Sequence, residues 1–286
     1  MYIVGQRNLS NPLSASANPT AVQKETQSYG KTVPLLIRRV REMLLPHFGK
    51  VAFREKTSVR KNDFVTELDF TIEKFLKEEL ARLYPDIAFV GEEGGGDRTE
   101  ERFWLVDPID GTDHFIRGLP FCTTMLALIE RGTVVFSVIY DFVHDIMYVA
   151  EKGKGAFANG KPIQVNNRPL NGSRLTWDSH LEKPGNMSTF LRLWGICSLF
   201  DTGASGYAFP MIASGKLDGR ICFDAHHNDY DYAPGILLVS EAGGEVANIG
   251  SQTFDYRNGD IIAANPTIFK ELTEGPDALF PIARPS

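Results

Sequence analysis

Cysteine is scarce. The 286 residues include three, Cys122, Cys197 and Cys222, far apart and with no C-x-x-C pair. That excludes a disulfide framework and a thiolate zinc centre, and it suits a reducing compartment where each thiol is a small apolar side chain. Long apolar runs are absent too; charges such as Glu130 and Arg131 break those there are, so no segment reaches the ~20 residues of a membrane span. Residues 1–20 have no basic patch leading into an apolar core, so no secretory leader is expected and the reading is a soluble, cytoplasmic protein. Neither sign of charge dominates: 30 Lys and Arg oppose 36 Asp and Glu, a net −6. A surface-wide attraction to nucleic acid or anionic lipid is thereby excluded, and neither partner is expected. There is no heptad and no internal repeat.

What remains is an ordinary globular composition, 43% hydrophobic and 23% charged, long enough for one large or two medium domains. Residues 1–30, rich in Ser, Asn, Ala and Gln, read as a loose tail. Val33, Leu36, Ile37, Val40, Met43 and Leu44 recur at helical spacing, and Ile72, Phe75, Leu76, Leu80 and Leu83 mark a second amphipathic helix after Thr66, with Asp69 in its first turn. Ile87 to Val90 and Phe103 to Val106 read as strands ending in acids. Thr124 to Ile129, Val134 to Tyr140 and Ile146 to Ala150 read as an antiparallel meander, so residues 31–166 are α+β. Beyond, helices near Met187 to Trp194, Tyr207 to Ala213 and Ala233 to Glu241 alternate with strands at Arg220 to Phe223 and Ile261 to Ala264, which makes residues 167–286 an α/β unit.

The chemistry concentrates in acids. Asp107 and Asp110 flank Pro108 and Ile109 and are followed by Gly111 and Thr112. A tight turn after a strand is the bland account of this segment. The functional one is that two like charges held on one side of a bend call for a cation. Carboxylates, a backbone carbonyl and water suit magnesium or manganese, whereas zinc recruits His or Cys. Two such ions can polarise a phosphoryl group and lower the pKa of water, and Gly111 allows a ligand close to the backbone. Glu92 and Glu93, in the glycine-rich loop 91–96, are either a solvated acidic loop or a second ligand element. Asp231, near a helix start, is either a cap or a ligand.

The stretches 63–69, 91–93, 104–115, 152–157 and 231–244, in that order, resemble the inositol monophosphatase family of magnesium-dependent, lithium-sensitive phosphatases. The resemblance implies a layered αβαβα sandwich of the inositol monophosphatase and fructose bisphosphatase type, usually dimeric. It implies that Glu92, Asp107 and the Ile109 carbonyl hold one metal, that Asp107, Asp110 and Asp231 hold a second, and that Glu92 holds a third through water, with Mn2+ able to substitute. Thr112, paired with Asp69, would orient and deprotonate the attacking water, the amides of Gly111 and Thr112 would cradle phosphate, and Gly206, Tyr207, Ala208 and Asp224 would meet the substrate.

Departures from the family pattern fall on the substrate side: Tyr230 stands in place of Trp, Asp113 and His114 follow Thr112, and 203–207 lacks the usual Arg. His114 is a candidate acid for the leaving group. His226 and His227 read as a polar loop rather than a metal site, and Lys152 to Gly155 as a hairpin turn rather than a phosphate loop. The resulting expectation is a phosphomonoesterase for a small phosphorylated polyol or sugar. Histidinol phosphate, fructose bisphosphate or a nucleotide bisphosphate are alternative substrates, and a family-fold protein with a regulatory binding role is the alternative of another class.

Overall fold

Helix α1 (Tyr29–Leu44) begins where the computed structural model begins to describe the chain; it covers residues 29–56, 64–224, 226, 228–251, 253–276 and 278–282. Of the expected tail, residues 1–28 lie outside the described residues, while Tyr29 and Gly30 already belong to the helix. Two-residue strands β1 (Arg54–Glu55) and β2 (Phe64–Val65) pair before α2 (Glu67–Leu83). Seven strands then form one sheet in sequence order: β3 (Ala88–Gly91), β4 (Arg102–Asp110), β5 (Thr123–Glu130), β6 (Thr133–Asp141), β7 (Ile146–Glu151), β8 (Gly155–Ala158) and β9 (Lys161–Pro162). Only β3 and β4 run parallel; the rest is the expected meander, and Lys152 to Lys154 form its β7–β8 hairpin turn. A short helix, α3 (Thr112–Arg117), links β4 to β5.

The second half supplies β10 (Arg174–Asp178), α4 (Pro184–Trp194), β11 (Ser198–Leu199), α5 (Ser205–Ala213), β12 (Gly219–Cys222), α6 (Asp229–Glu241), β13 (Glu245–Asn248), β14 (Ile261–Ala264) and α7 (Pro266–Thr273). Its sheet, ordered β11-β10-β12-β14-β13, is mixed, because β14 runs antiparallel to both β12 and β13.

Strand periodicity builds the layers. In β4, Trp104 and Val106 face the apolar stripes of α1 and α2, while Phe103 and Leu105 face α5 and α6. In β14, Ile261 and Ala263 face α5 and α6, while Ile262 and Ala264 face α4 and α7. The protein is therefore a layered αβαβα sandwich. Its outer helices are amphipathic, whereas α6 is buried from Asp231 through Val239, as a helix between two sheets must be. Trp104 is fully buried with its ring centroid 5.6 Å from Tyr29 and 5.5 Å from Tyr84, the kind of packing that contributes ~1.5–3 kcal/mol per large side chain. At the centre, α5 and α6 approach so closely that a Cβ on Gly235 would stand 2.0 Å from the Phe209 ring.

Candidate metal centre

β3 and β4 are in parallel register with Gly91 opposite Val106, so the next residues, Glu92 and Asp107, emerge side by side at one end of the sheet. The Glu92 amide donates to the Val106 carbonyl at 3.0 Å. β4 does not stop at the acids, as the turn dipeptides suggest; it continues through Pro108 to Asp110, with a register shift between Asp107 and Asp110. Proline has no amide to give the ladder and is accommodated at such an irregularity, where the Thr124 hydroxyl donates to the Pro108 carbonyl at 2.8 Å. Gly111 then turns the chain with φ +82°, and a Cβ there would stand 2.6 Å from the Phe121 carbonyl oxygen.

Carboxylate oxygens of Asp107, Asp110 and Asp231 lie within 4.8 Å of one another, and all three residues are buried. Asp107 is 1% exposed and its Oδ1 has no hydrogen-bond partner among the described residues. Burial, and after it the charges of Glu92, Asp110 and Asp231, push its carboxyl well above the usual range. A buried anion among like charges is costly, and a cation relieves the cost. The donors are all oxygen, with no His or Cys in the cluster, so these residues fit a hard ion such as magnesium or manganese.

Each acid is fixed by backbone. Asp231 accepts the Asn228 amide at 2.7 Å as the third-position partner of the N-cap Asn228 in the capping box of α6, so one residue serves both the helix start and the cluster. Asp110 accepts the first amides of α5, Ser205 at 3.2 Å and Gly206 at 2.8 Å. Asp69 sits in the capping box of α2: the Thr66 amide and hydroxyl each donate to its Oδ2 at 2.7 Å. Its Oδ1 faces the Thr112 hydroxyl at 3.3 Å, and that hydroxyl also lies 2.9 Å from the Ile109 carbonyl. Burial first, against the hydrogen bonds from Thr66, raises the Asp69 pKa from 3.8 to about 6.

Two residues that the sequence reading passed over hold the Glu92 loop. Lys56 reaches Glu92 at 2.8 Å and Glu93 at 2.5 Å. Burial raises the Glu93 carboxyl, to about 7, despite Lys56; the Lys56 ammonium is itself held above its usual pKa by the two glutamates, against burial. Glu73, one turn after Asp69 on α2, accepts the amides of Glu93 and Gly94 at 2.8 and 2.7 Å. A buried acid on a helix whose neighbours Ile72 and Leu76 are core was the available signal for Glu73; Lys56 offered none. Glu73→Gln leaves one amide facing a donor, so a loss of about 1–3 kcal/mol in thermal or urea unfolding is the expected result.

The substrate side differs from its expectation in particulars. Ala208 is fully buried and the Gly206 amide is spent on Asp110, so of the three α5 residues only half-buried Tyr207, edge-on to Phe121 at 5.0 Å, presents side-chain surface. Asp224 is ion-paired with Lys183 at 2.5 Å and accepts from Asn186 at 3.1 Å, which together lower its pKa. His114 Nδ1 lies 2.9 Å from the Phe121 carbonyl, and Asp113 pairs with Arg117. The His226 ring lies against that of His180, tilted by 51° with centroids 3.6 Å apart, and His227 and Asp63 lie outside the described residues.

The family model described as the inositol monophosphatase family matches residues 29–275. A fructose-1,6-bisphosphatase/inositol-1-monophosphatase of Thermotoga maritima is 31% identical over 84% of this chain and 94% of its own. A Nus factor SuhB of Xylella fastidiosa is 31% identical over 74% of this chain and 78% of its own. The solved structure of a Thermotoga maritima IMPase superposes with a TM-score of 0.76 at 29% identity, covering 84% of this chain and 92% of that one.

Proposed function

The chain belongs to the inositol monophosphatase family, and on that premise we propose that it is a magnesium-dependent phosphomonoesterase acting on a small phosphorylated polyol or sugar. The observation that carries this reading is the buried Asp107, Asp110 and Asp231 cluster, with Asp107 Oδ1 left without a hydrogen-bond partner among the described residues. Glu92, Asp107 and the Ile109 carbonyl would hold one ion, Asp107, Asp110 and Asp231 a second, and Glu92 a third. When bound, two or three Mg2+ ions, or Mn2+ in their place, would polarise the phosphoryl group, activate water and stabilise the leaving oxygen.

The chain's own part is proton handling and orientation. Thr112 accepts the proton of the attacking water as its own hydroxyl proton passes to Asp69, a role supported by the 3.3 Å contact between them. The amides of Gly111 and Thr112 receive phosphate oxygens. Asp224 and Tyr207 meet the organic part of the substrate, and hydroxyls bound by Asp224 share it with Lys183. We read the enzyme as a cytoplasmic homodimer. The names of the SuhB relatives raise a regulatory binding role, but a complete acid set is what catalysis needs and a scaffold does not.

Phosphate release from inositol 1-phosphate, fructose 1,6-bisphosphate, histidinol phosphate, a nucleotide bisphosphate and an aryl phosphate tests this. Turnover of several sugar or polyol substrates with magnesium, inhibition by millimolar lithium and silence in excess chelator are expected. Asp224→Ala should raise KM for hydroxyl-rich substrates more than for the aryl phosphate, since an unpaired hydroxyl or carboxylate is costly. Full activity in chelator, or no release from any substrate, sinks the assignment.

A further inference from the structure

Beneath the acidic cluster lies a buried cation. Arg220 is on β12, directly opposite Thr176 of β10, so Arg220 and Cys222 share one face of the sheet with Thr176 and Asp178. Its side chain is 4% exposed. The guanidinium is held on every side: Nε lies 3.1 Å from Cys222 Sγ, Nη1 3.4 Å from Thr176 Oγ1, and Nη2 3.1 Å from Ser205 Oγ and 3.8 Å from Asp178 Oδ2. Its plane also stands 5.6 Å from the Phe209 ring centroid. Ser205 and Phe209 are one turn apart on α5, so Arg220 grips that helix at two points.

Both points lead to the metal ligands. Ser205 is the residue whose amide, with that of Gly206, holds Asp110. Asp178, the partner of Arg220, accepts the Tyr232 hydroxyl at 2.7 Å, and Tyr232 follows Asp231 on α6. Tyr232 in turn packs edge-on against Phe209 at 6.4 Å. A single ion pair thus braces α5, which fixes Asp110, and α6, which carries Asp231. Burying a guanidinium and a carboxylate together yields little or no net stability compared with apolar residues of the same volume. Stability therefore gives no reason for this pair, whereas a fixed relation between two ligand-bearing helices does.

Resting on the metal-dependent reading above, we propose that Arg220 and Asp178 are positioning residues for the metal centre, acting on Asp110 through Ser205 and on Asp231 through Tyr232. Loss of an outer partner of a metal ligand typically costs about 10- to 100-fold in metal affinity. Ser205→Ala removes the hydroxyl that Arg220 grips and leaves the ion pair and the amide bonded to Asp110 in place. Arg220→Lys keeps the charge for Asp178 but lacks the reach to hold Ser205, Thr176 and Phe209 together.

The experiment is Mn2+ titration of full-length wild type and both variants, read by the electron paramagnetic resonance of free Mn2+, beside thermal unfolding in chelator and the magnesium dependence of phosphate release. Expected is a fall in Mn2+ affinity of about 10-fold for Ser205→Ala and up to about 100-fold for Arg220→Lys. The melting temperature of Ser205→Ala should fall by a few degrees for the buried donor left without its acceptor, too little to unfold the protein, and its kcat should recover at saturating magnesium. A variant damaged only in fold would show a lowered melting temperature with unchanged affinity. If wild type binds Mn2+ and Ser205→Ala binds it equally well, the positioning role is overturned while the phosphatase reading stands. A wild type that binds no Mn2+ overturns both.

Discussion

Asp107→Asn is expected to abolish turnover and to make the metal-free protein more stable. Asp107 is buried, has an oxygen with no hydrogen-bond partner among the described residues, and is surrounded by Glu92, Asp110 and Asp231, so its carboxyl is held well above the usual range. The sign follows from proton linkage: a carboxyl whose pKa is raised by folding binds its proton more tightly when folded, so its ionised form at neutral pH costs stability. A neutral amide of the same shape removes that cost. It also removes a charged ligand from the proposed metal centre, which would lend several kcal/mol to the transition state, so at ~1.36 kcal/mol per tenfold a loss of about three orders of magnitude is expected. Asp110→Asn should be as damaging to activity without the gain in stability, because its oxygens accept the Ser205 and Gly206 amides and an Asn would set a donor against one of them. Melting curves in excess chelator beside phosphate release with magnesium check both halves. Asp107→Asn with near-normal turnover, or with a lower melting temperature than Asp110→Asn, contradicts the account.

That contrast between two neighbouring aspartates marks where sequence reading ends. The acids could be found, because Asp107 and Asp110 come at the end of an apolar strand and Glu92 follows another, and parallel strands deliver their ends to one place. The helices were legible for a similar reason: α1 and α2 lie on the surface of the sandwich and show a stripe, and α6 lies inside and shows none. What holds the acids was not legible. The amides of Ser205 and Gly206 carry no side-chain signature, and their meeting with Asp110 spans 95 and 96 residues. β4 hides its last four residues, Asp107 to Asp110, behind Asp-Pro and Asp-Gly, dipeptides whose local preference is for turns and which pairing with β5 overrides. β10 escaped notice because Leu175 and Trp177 alternate with polar Thr176 and Asp178. In an exposed segment that pattern means a half-solvated strand; here both faces are buried, and the polar face is where Arg220 lies.

Thr112→Ala should lower kcat by about 10²- to 10⁴-fold, the usual worth of a positioned proton-transfer group, while leaving Mn2+ affinity within a few-fold of wild type. The Thr112 hydroxyl lies between the Ile109 carbonyl and Asp69 Oδ1, and the other Asp69 oxygen is occupied by Thr66, which leaves Oδ1 to face Thr112. Asp69→Asn should match the loss in kcat, since an amide cannot take the proton, and Thr112→Ser should retain most of it. The pair also predicts a pH dependence. Asp69 accepts a proton only when ionised, and burial lifts its pKa from 3.8 to about 6. The acid limb of kcat should therefore fall near or below pH 6 in wild type, persist in Thr112→Ser, and vanish from the residual activity of Asp69→Asn. An unaltered acid limb in Asp69→Asn assigns it to another group. Near-normal turnover in both Thr112→Ala and Asp69→Asn at saturating magnesium means that the attacking water loses its proton elsewhere.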